Sequence, residues 1–325
     1  MKAVVLKDGG LVTESLANPT PKPNEVLIRV RASSINRTDL IMMRGHANSG
    51  HGNTLPVPGL EWAGEVVETG SEVPNHIKVG DRVIATGTAG FAEFAVADWG
   101  RVLPIPASGM SFEDAATLPL ALMTMHDAIV TNGRLRKGET VLIQGASSGV
   151  GLVGLQIAKL MGAGLVIGTS TRAERRAELG KYGADLALDS RDGEWPHQIL
   201  EQTGNKGVDL IIDHVSAGVM NQNMKAAAVL GRIVNVGRLG GFSGDFDFDL
   251  HALKRITYVG VTFRTRSIEE VRRIVQLMRE DLWPHVEAGK IRLPVDSVYD
   301  LAQASEAMER MASDKHSGKI VLVSA

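Results

Sequence analysis

Residues 145–151, Gly-Ala-Ser-Ser-Gly-Val-Gly, carry almost no side-chain bulk. A chain so bare exposes backbone N–H groups, and at the start of a helix those groups and the helix dipole form an anion site. The small residues Ala146, Ser147 and Ser148 leave room for a diphosphate. The register read here is Gly145-x-x-x-Gly149-x-Gly151, whose first glycine makes the tight turn. A literal G-x-G-x-x-G at Gly149, Gly151 and Gly154 starts too far beyond the preceding apolar run. Further on, the chain reads Gly168-Thr169-Ser170-Thr171-Arg172, with Arg175 and Arg176 one turn later and no acid until Glu174. An NAD site usually places Asp or Glu about 20 residues past the glycines, on the ribose 2′-hydroxyl. Hydroxyls and guanidinium groups suit a 2′-phosphate instead. The expected ligand is therefore NADP(H), held by Gly145, Ser147, Ser148, Gly149, Val150, Gly151, Thr169, Ser170, Thr171, Arg172 and Arg175.

These residues need a scaffold, and the flanking pattern supplies one. Thr140 to Ile143 is a short apolar run suited to a buried parallel strand, and helical spacing begins at Val150. A second apolar strand, Leu165 to Gly168, completes a strand–helix–strand unit. Further strands are expected at Leu186 to Leu188, Val208 to Ile212, Arg232 to Val236 and Ile256 to Val261. Helices fall between most of them, at Arg172 to Tyr182 and Trp195 to Gln202 among others. The sum is an α/β, doubly wound parallel sheet. Its ligand belongs beyond the carboxyl ends of the strands, which adds Ser190, Val236, Gly237, Arg238, Thr262 and Phe263 to the cofactor edge. Arg238 reaches cofactor or substrate, or is a surface arginine.

Residues 1–118 read differently. Ala3 to Leu6, Glu25 to Ala32, Glu61 to Glu68, Arg82 to Ala85 and Phe91 to Val96 are strand-like, separated by Gly- and Pro-containing turns. Such a pattern suggests a barrel or sandwich, placed to cover the nicotinamide and supply a substrate pocket. A helix starting at Ser111 leads into an apolar stretch around Leu118 to Met125. Ile268 to Met278 and Asp300 to Met311 are further helices, and Lys319 to Val323 a last strand. Residues 45–53, rich in glycine, histidine and asparagine, are expected to be a mobile loop.

The chain has 325 residues, enough for about two domains. A net charge of −2 gives no reason to expect nucleic acid or an anionic membrane as main partner. There is no cysteine, so disulfides, thiolate zinc sites and cysteine nucleophiles are excluded. The N-terminal stretch does not read as a signal peptide and no run is long enough to span a membrane. A cytoplasmic location is the default.

The chain resembles the medium-chain dehydrogenase/reductase superfamily and, within it, the zinc-free quinone oxidoreductase (zeta-crystallin-like) branch. The marks are Ser34-Ile35-Asn36-Arg37-Thr38-Asp39, Pro58 to Gly64, Val79-Gly80-Asp81-Arg82-Val83, Ala115 to Pro119, Gly138-Glu139-x-x-Leu142 into Ala146 to Gly151, and Gly318 to Leu322. The resemblance implies a β-rich GroES-like domain over 1–118 and 264–325, and a Rossmann domain over 119–263. It implies NADPH-linked reduction of quinones, enones or related carbonyls. Leu60 stands where zinc-dependent relatives carry a histidine. His46 and His51 are the remaining zinc candidates and are read as solvated loop residues, so no metal is expected. Without a Lewis acid, acceptors that delocalise the incoming charge are favoured. By resemblance, Asn36 and Asp39 sit at the pocket's edge and Thr124 faces the nicotinamide side. Asn36 donates a hydrogen bond to the acceptor oxygen or satisfies loop backbone groups. Asp39 orients neighbours. Ile41 and Met42 suggest an apolar, adaptable pocket, and Trp62 lines it or belongs to the core.

Rival readings remain. One is a zinc-free NADP-linked alcohol dehydrogenase. Another is a non-catalytic NADPH-binding sensor or RNA-binding protein. Gly145-Ala146-Ser147-Ser148-Gly149 also spells a nucleophile elbow, with Asp189 and His214 as triad partners. The apolar sixth strand, a sheet edge, predicts a homodimer.

Overall fold

In a computed structural model of the chain, residues 1–7, 10–43, 57–107 and 109–324 are described. His46, His51 and the 45–53 loop lie outside them. The chain divides into two units, Met1–Ala121 with Phe263–Ala325, and Leu122–Thr262.

The first stretch of unit 1 runs β1 (Lys2–Lys7), β2 (Gly10–Ser15), β3 (Glu25–Ser34), α1 (Arg37–Met43), β4 (Glu61–Thr69), β5 (Arg82–Thr86), β6 (Phe94–Asp98), β7 (Val102–Pro104) and α2 (Phe112–Ala116), and ends within α3 (Pro119–His126), whose residues from Leu122 belong to unit 2. Unit 2 follows with β8 (Thr140–Gln144), α4 (Gly149–Leu160), β9 (Leu165–Thr169), α5 (Ala173–Glu178), β10 (Leu186–Leu188), α6 (Trp195–Gln202), β11 (Val208–Asp213), α7 (Met220–Ala226), β12 (Ala227–Asn235), α8 (Phe248–Lys254) and β13 (Thr257–Gly260). The chain then returns to unit 1 with α9 (Ile268–Glu287), β14 (Val295–Asp300), α10 (Ala304–Ala312) and β15 (Lys319–Val323).

Unit 1 is mostly antiparallel. Its main sheet has the order β14-β15-β3-β4-β5-β7, with β6 also paired to β3 and β14 parallel to β15. Thus residues near position 320 lie directly beside β3. Alternation along β3 and β4 sends Val26, Ile28, Val30, Trp62 and Val66 into one core. Trp62 is fully buried there rather than lining a pocket, which corrects one alternative above. Two glycines make its slot: a Cβ at Gly87 or Gly90 would lie 2.7 Å from the indole. The helix at 268 is longer than its apolar pattern suggested. Ser267 and Glu270 form a capping box, and burial of Val271, Ile274, Val275, Met278, Leu282 and Val286 continues past the charged Arg279-Glu280-Asp281.

Unit 2 holds a six-stranded, wholly parallel sheet of order β10-β9-β8-β11-β12-β13. Strand order reverses between β8 and β11, so the crevice for a ligand opens there. Leu142, Ile167, Ile211 and Ile233 on successive strands pack with Trp195, Ile199 and Met224. β13 is one edge of this sheet and β10 the other, so the sixth strand lies at an edge as expected. Among the described residues no helix is long and apolar enough to cross a membrane.

Candidate functional site

The turn from β8 into α4 carries the first candidate residues. Gly145 has φ 68°, a left-handed conformation in which a side chain is strained. Ser148 caps α4: its Oγ accepts from Gly151 N–H at 3.1 Å and donates to the Gly145 carbonyl at 2.9 Å. The Gly151 amide is therefore spent on the cap and is not part of an open anion site, contrary to expectation. Gly149 and Val150 are the first two helical residues, whose N–H groups have no intrahelical acceptor. Gly151 is needed for a different reason: a Cβ there would sit 2.7 Å from the Ala146 backbone. Gly154 is the last glycine of the literal motif, and a Cβ on it would lie 2.3 Å from Met125 Cε.

Beneath this turn runs a buried chain of hydrogen bonds that sequence reading missed. Gly145 N–H donates to Thr169 Oγ1, 3.1 Å, and Thr169 Oγ1 donates to Gln144 Oε1, 2.7 Å. Gln144 Nε2 donates to Asn223 Oδ1, 2.7 Å, and Asn223 Nδ2 to Asp213 Oδ2, 3.0 Å. Asp213 Oδ1 accepts from the Val215 and Ser216 amides. All four side chains are fully buried. Burial pushes the Asp213 carboxyl up, against the opposing pull of those amides and Asn223. Thr169 thus spends its hydroxyl inward, on Gly145 and Gln144, where the sequence reading had it hold the cofactor. The polar residues that close β8, β9 and β11, Gln144, Thr169 and Asp213, were the available signal.

At the end of β9, Ser147 Oγ and Ser170 Oγ are 2.9 Å apart. Thr171 is exposed and Arg172 half-buried, with Arg172 Nη1 3.8 Å from Glu174 Oε1. Arg175 lies in the last turn of α5. Arg176 instead turns to the Ser170 carbonyl, 2.9 Å, and to Asp189, 3.0 Å. Hydrogen bonds from Arg191, with the charge of Arg176, hold Asp189 below the usual carboxylate range. Ser190 beside it is half-buried. Ser147, Asp189 and His214 form no triad, because His214 Nδ1 is 2.7 Å from the Gln144 carbonyl.

Past β12, the Val236 and Gly237 amides both donate to the Asp213 carbonyl, at 2.8 and 3.1 Å. Arg238 is half-buried with Nη1 3.4 Å from the Val236 carbonyl. Thr262 is half-buried at the end of unit 2. Phe263, also half-buried, opens the second stretch of unit 1, its ring 5.5 Å from the Arg266 guanidinium.

Unit 1 assembles a second polar cluster. Asn36, between β3 and α1, donates through Nδ2 to Glu61 Oε1 at 2.9 Å and more loosely to the Ser34 carbonyl at 3.4 Å. Lys319 Nζ donates to Asn36 Oδ1, 2.7 Å, and to Glu61 Oε1, 2.6 Å. Ser34 Oγ also donates to Glu61 Oε1, and Glu61 Oε2 accepts from Leu120 N–H in the first turn of α3. Ammonium and carboxylate together fix which way the Asn36 amide faces, since one only donates and the other only accepts. The donor assigned to a substrate oxygen is therefore largely engaged within the cluster. Asp39 was expected at a pocket's edge, yet it is fully buried and accepts from Asn36 N–H at 2.7 Å. Burial pushes its carboxyl up to about 7, partly offset by the Asn36 amide and the Lys319 charge. Asp39 Oδ1 has no partner of good geometry. Ile41 and Met42 are half-buried in α1, and Thr124 is half-buried on α3, where Leu122, Met123, Met125 and His126 are buried. Glu61 and Lys319 had appeared in the sequence only as parts of motifs.

Two family models match the chain: an alcohol dehydrogenase GroES-like domain over residues 22–107 and a zinc-binding dehydrogenase over 149–280. A phenolphthiocerol/phthiocerol polyketide synthase of Mycobacterium tuberculosis is 31% identical over 93% of this chain. The chain spans 14% of that synthase's length. The structure of the Pseudomonas syringae pv. Tomato DC3000 quinone oxidoreductase superposes with a TM-score of 0.87 at 25% identity, covering 99% of both chains. The CurK enoyl reductase gives 0.86 at 26% identity, covering 99% of this chain and 98% of that one. With a parallel dinucleotide-binding sheet in one unit and a GroES-like domain in the other, the chain belongs to the medium-chain dehydrogenase/reductase superfamily, in its quinone oxidoreductase-like branch.

Proposed function

We propose that this oxidoreductase is a cytoplasmic, zinc-independent NADPH:acceptor reductase whose acceptors are quinones and carbon–carbon double bonds conjugated to a carbonyl. The observation that carries the reading is the end of β9. Ser170 and half-buried Arg172 stand there with no acid closer than Glu174, and Asp189 is already neutralised by Arg176 and Arg191. That chemistry suits a 2′-phosphate. The bound nicotinamide supplies a hydride. The chain's own residues bind and orient: Gly149 and Val150 amides take the diphosphate, and the Gly145 turn sets the approach of the backbone.

Among the described residues the donors do not fit zinc. The sequence has no cysteine, and the Glu61 carboxylate is shared among Lys319, Asn36, Ser34 and Leu120. Among the described residues no group of three His, Asp or Glu could hold a metal. Acceptors that spread the incoming charge need least help of that kind. Similarity to an enoyl reductase and to a polyketide synthase favours enoyl thioesters within this class. The test mixes enzyme, NADPH and a panel of quinones, enones and enoyl thioesters. The reading expects loss of NADPH absorbance with at least one, insensitive to chelators. Cofactor binding with no turnover on any acceptor would sink it.

The reading includes a homodimer. Edge strand β13 is unpaired on its outer side among the described residues, and Val229, Leu230, Phe248, Leu253 and Tyr258 are exposed on or beside the last strands. A monomeric mass by light scattering would refute this part alone.

A further inference from the structure

We infer that His214 is a cofactor-positioning residue whose bare Nε2 accepts a hydrogen bond from a hydroxyl of the nicotinamide-side ribose. His214 follows β11, and its Nδ1 lies 2.7 Å from the carbonyl of Gln144, the last residue of β8. The ring thus spans the ends of the two strands between which the sheet order reverses, where a doubly wound sheet takes its dinucleotide. A carbonyl can only accept, so the proton sits on Nδ1 and Nε2 presents a lone pair. That lone pair has no protein partner, in a side chain only 3% exposed. The position is tightly framed. The ideal Cβ of Gly145 lies 3.6 Å from His214 Cβ, and a Cβ on Gly237 would strike the His214 carbonyl at 2.6 Å.

The chemistry selects the partner. Burial lowers the imidazole's affinity for a proton, so it stays neutral and is neither a phosphate ligand nor a proton donor. A buried acceptor without a donor is a destabilising arrangement that a bound O–H relieves. Phosphates offer no donor at neutral pH. Adenosine belongs at the β9 and β10 side, by Ser170 and Arg172, whereas His214 lies on the β11 side. The ribose next to the nicotinamide brings a hydroxyl to that side. The inference rests on reading this edge as a dinucleotide site.

Two variants separate the ring's two nitrogens. His214→Asn keeps an N–H for the Gln144 carbonyl but loses the distal acceptor, whereas His214→Gln extends an amide oxygen to it. NADPH and adenosine 2′,5′-bisphosphate are titrated against wild type and both variants by calorimetry. His214→Asn should weaken NADPH about tenfold, equivalent to about 1.4 kcal/mol, and leave the bisphosphate unchanged. His214→Gln should bind NADPH within about threefold of wild type. Wild-type affinity in His214→Asn, or equal loss for both ligands, overturns the assignment. The histidine ¹⁵N signals of wild type give a check free of folding effects. NADPH should shift the bare Nε2 resonance and the bisphosphate should not; an unmoved Nε2 signal also overturns it. A wild type that binds no dinucleotide refutes the cofactor reading itself, a separate result.

Discussion

Lys319 and Glu61 lie 258 residues apart in sequence and form a buried ion pair with an N···O distance of 2.6 Å. Both side chains are almost wholly out of water. Removing one partner strands a charge, so Lys319→Met should cost about 3–5 kcal/mol in stability. The double variant Lys319→Met/Glu61→Gln should recover part of that loss. Urea unfolding of the two variants checks the order. A single variant as stable as wild type would contradict the pairing.

Asp39 links the same cluster to pH. Its folded carboxyl is raised to about 7 from an ordinary value of 3.8, so the folded state holds the proton more tightly than the unfolded one. The contribution of Asp39 to stability is then greatest below the unfolded value and falls as pH rises from about 4 to about 7. Asp39→Asn cannot lose a proton and should flatten this dependence, being relatively more stable than wild type at pH 8. Melting temperatures of both proteins between pH 5 and pH 8 test the sign. Parallel curves would refute it.

Gly151→Ala places a methyl group against rigid backbone at Ala146. The helix start and the Gly145 turn must then separate, costing about 1–3 kcal/mol. NADPH affinity should fall with it, because the Gly149 and Val150 amides move. Thermal melts and dinucleotide titration give the two numbers. Unchanged affinity would show that these amides do not hold the diphosphate.

Arg172→Ala should weaken NADPH at least tenfold, as expected for loss of a charged hydrogen bond, and leave NADH untouched. Competition binding with both dinucleotides decides this. An equal effect on the two would remove Arg172 from 2′-phosphate recognition.

Much of the fold was legible because its signals are local. The apolar runs of β8, β9 and β11 and the glycines between β8 and α4 declare a doubly wound sheet without tertiary information. β14 was not legible, since Val-Asp-Ser-Val-Tyr-Asp buries little and is defined by its partner β15. The full length of α9 was hidden by a charged stretch facing solvent. Among site residues, glycine and serine identities gave the loop but not which amides it spends. Ser148 consumes the Gly151 N–H, and Thr169 turns inward to Gln144. The Glu61–Lys319 contact and the Gln144–Asn223–Asp213 chain join distant segments, and no spacing rule relates them.

The placement of β15 inside its sheet, between β14 and β3, orders events at the ribosome. Residues 122–262 form a contiguous unit and emerge complete while the β-rich unit still lacks the strand that joins β14 to β3. Until residue 319 leaves the exit tunnel, Glu61 has no counter-ion and β3 has an open flank. A nascent chain stalled near residue 300 therefore displays a finished nucleotide-binding half tethered to an unclosed partner, the species on which chaperones and proteases act.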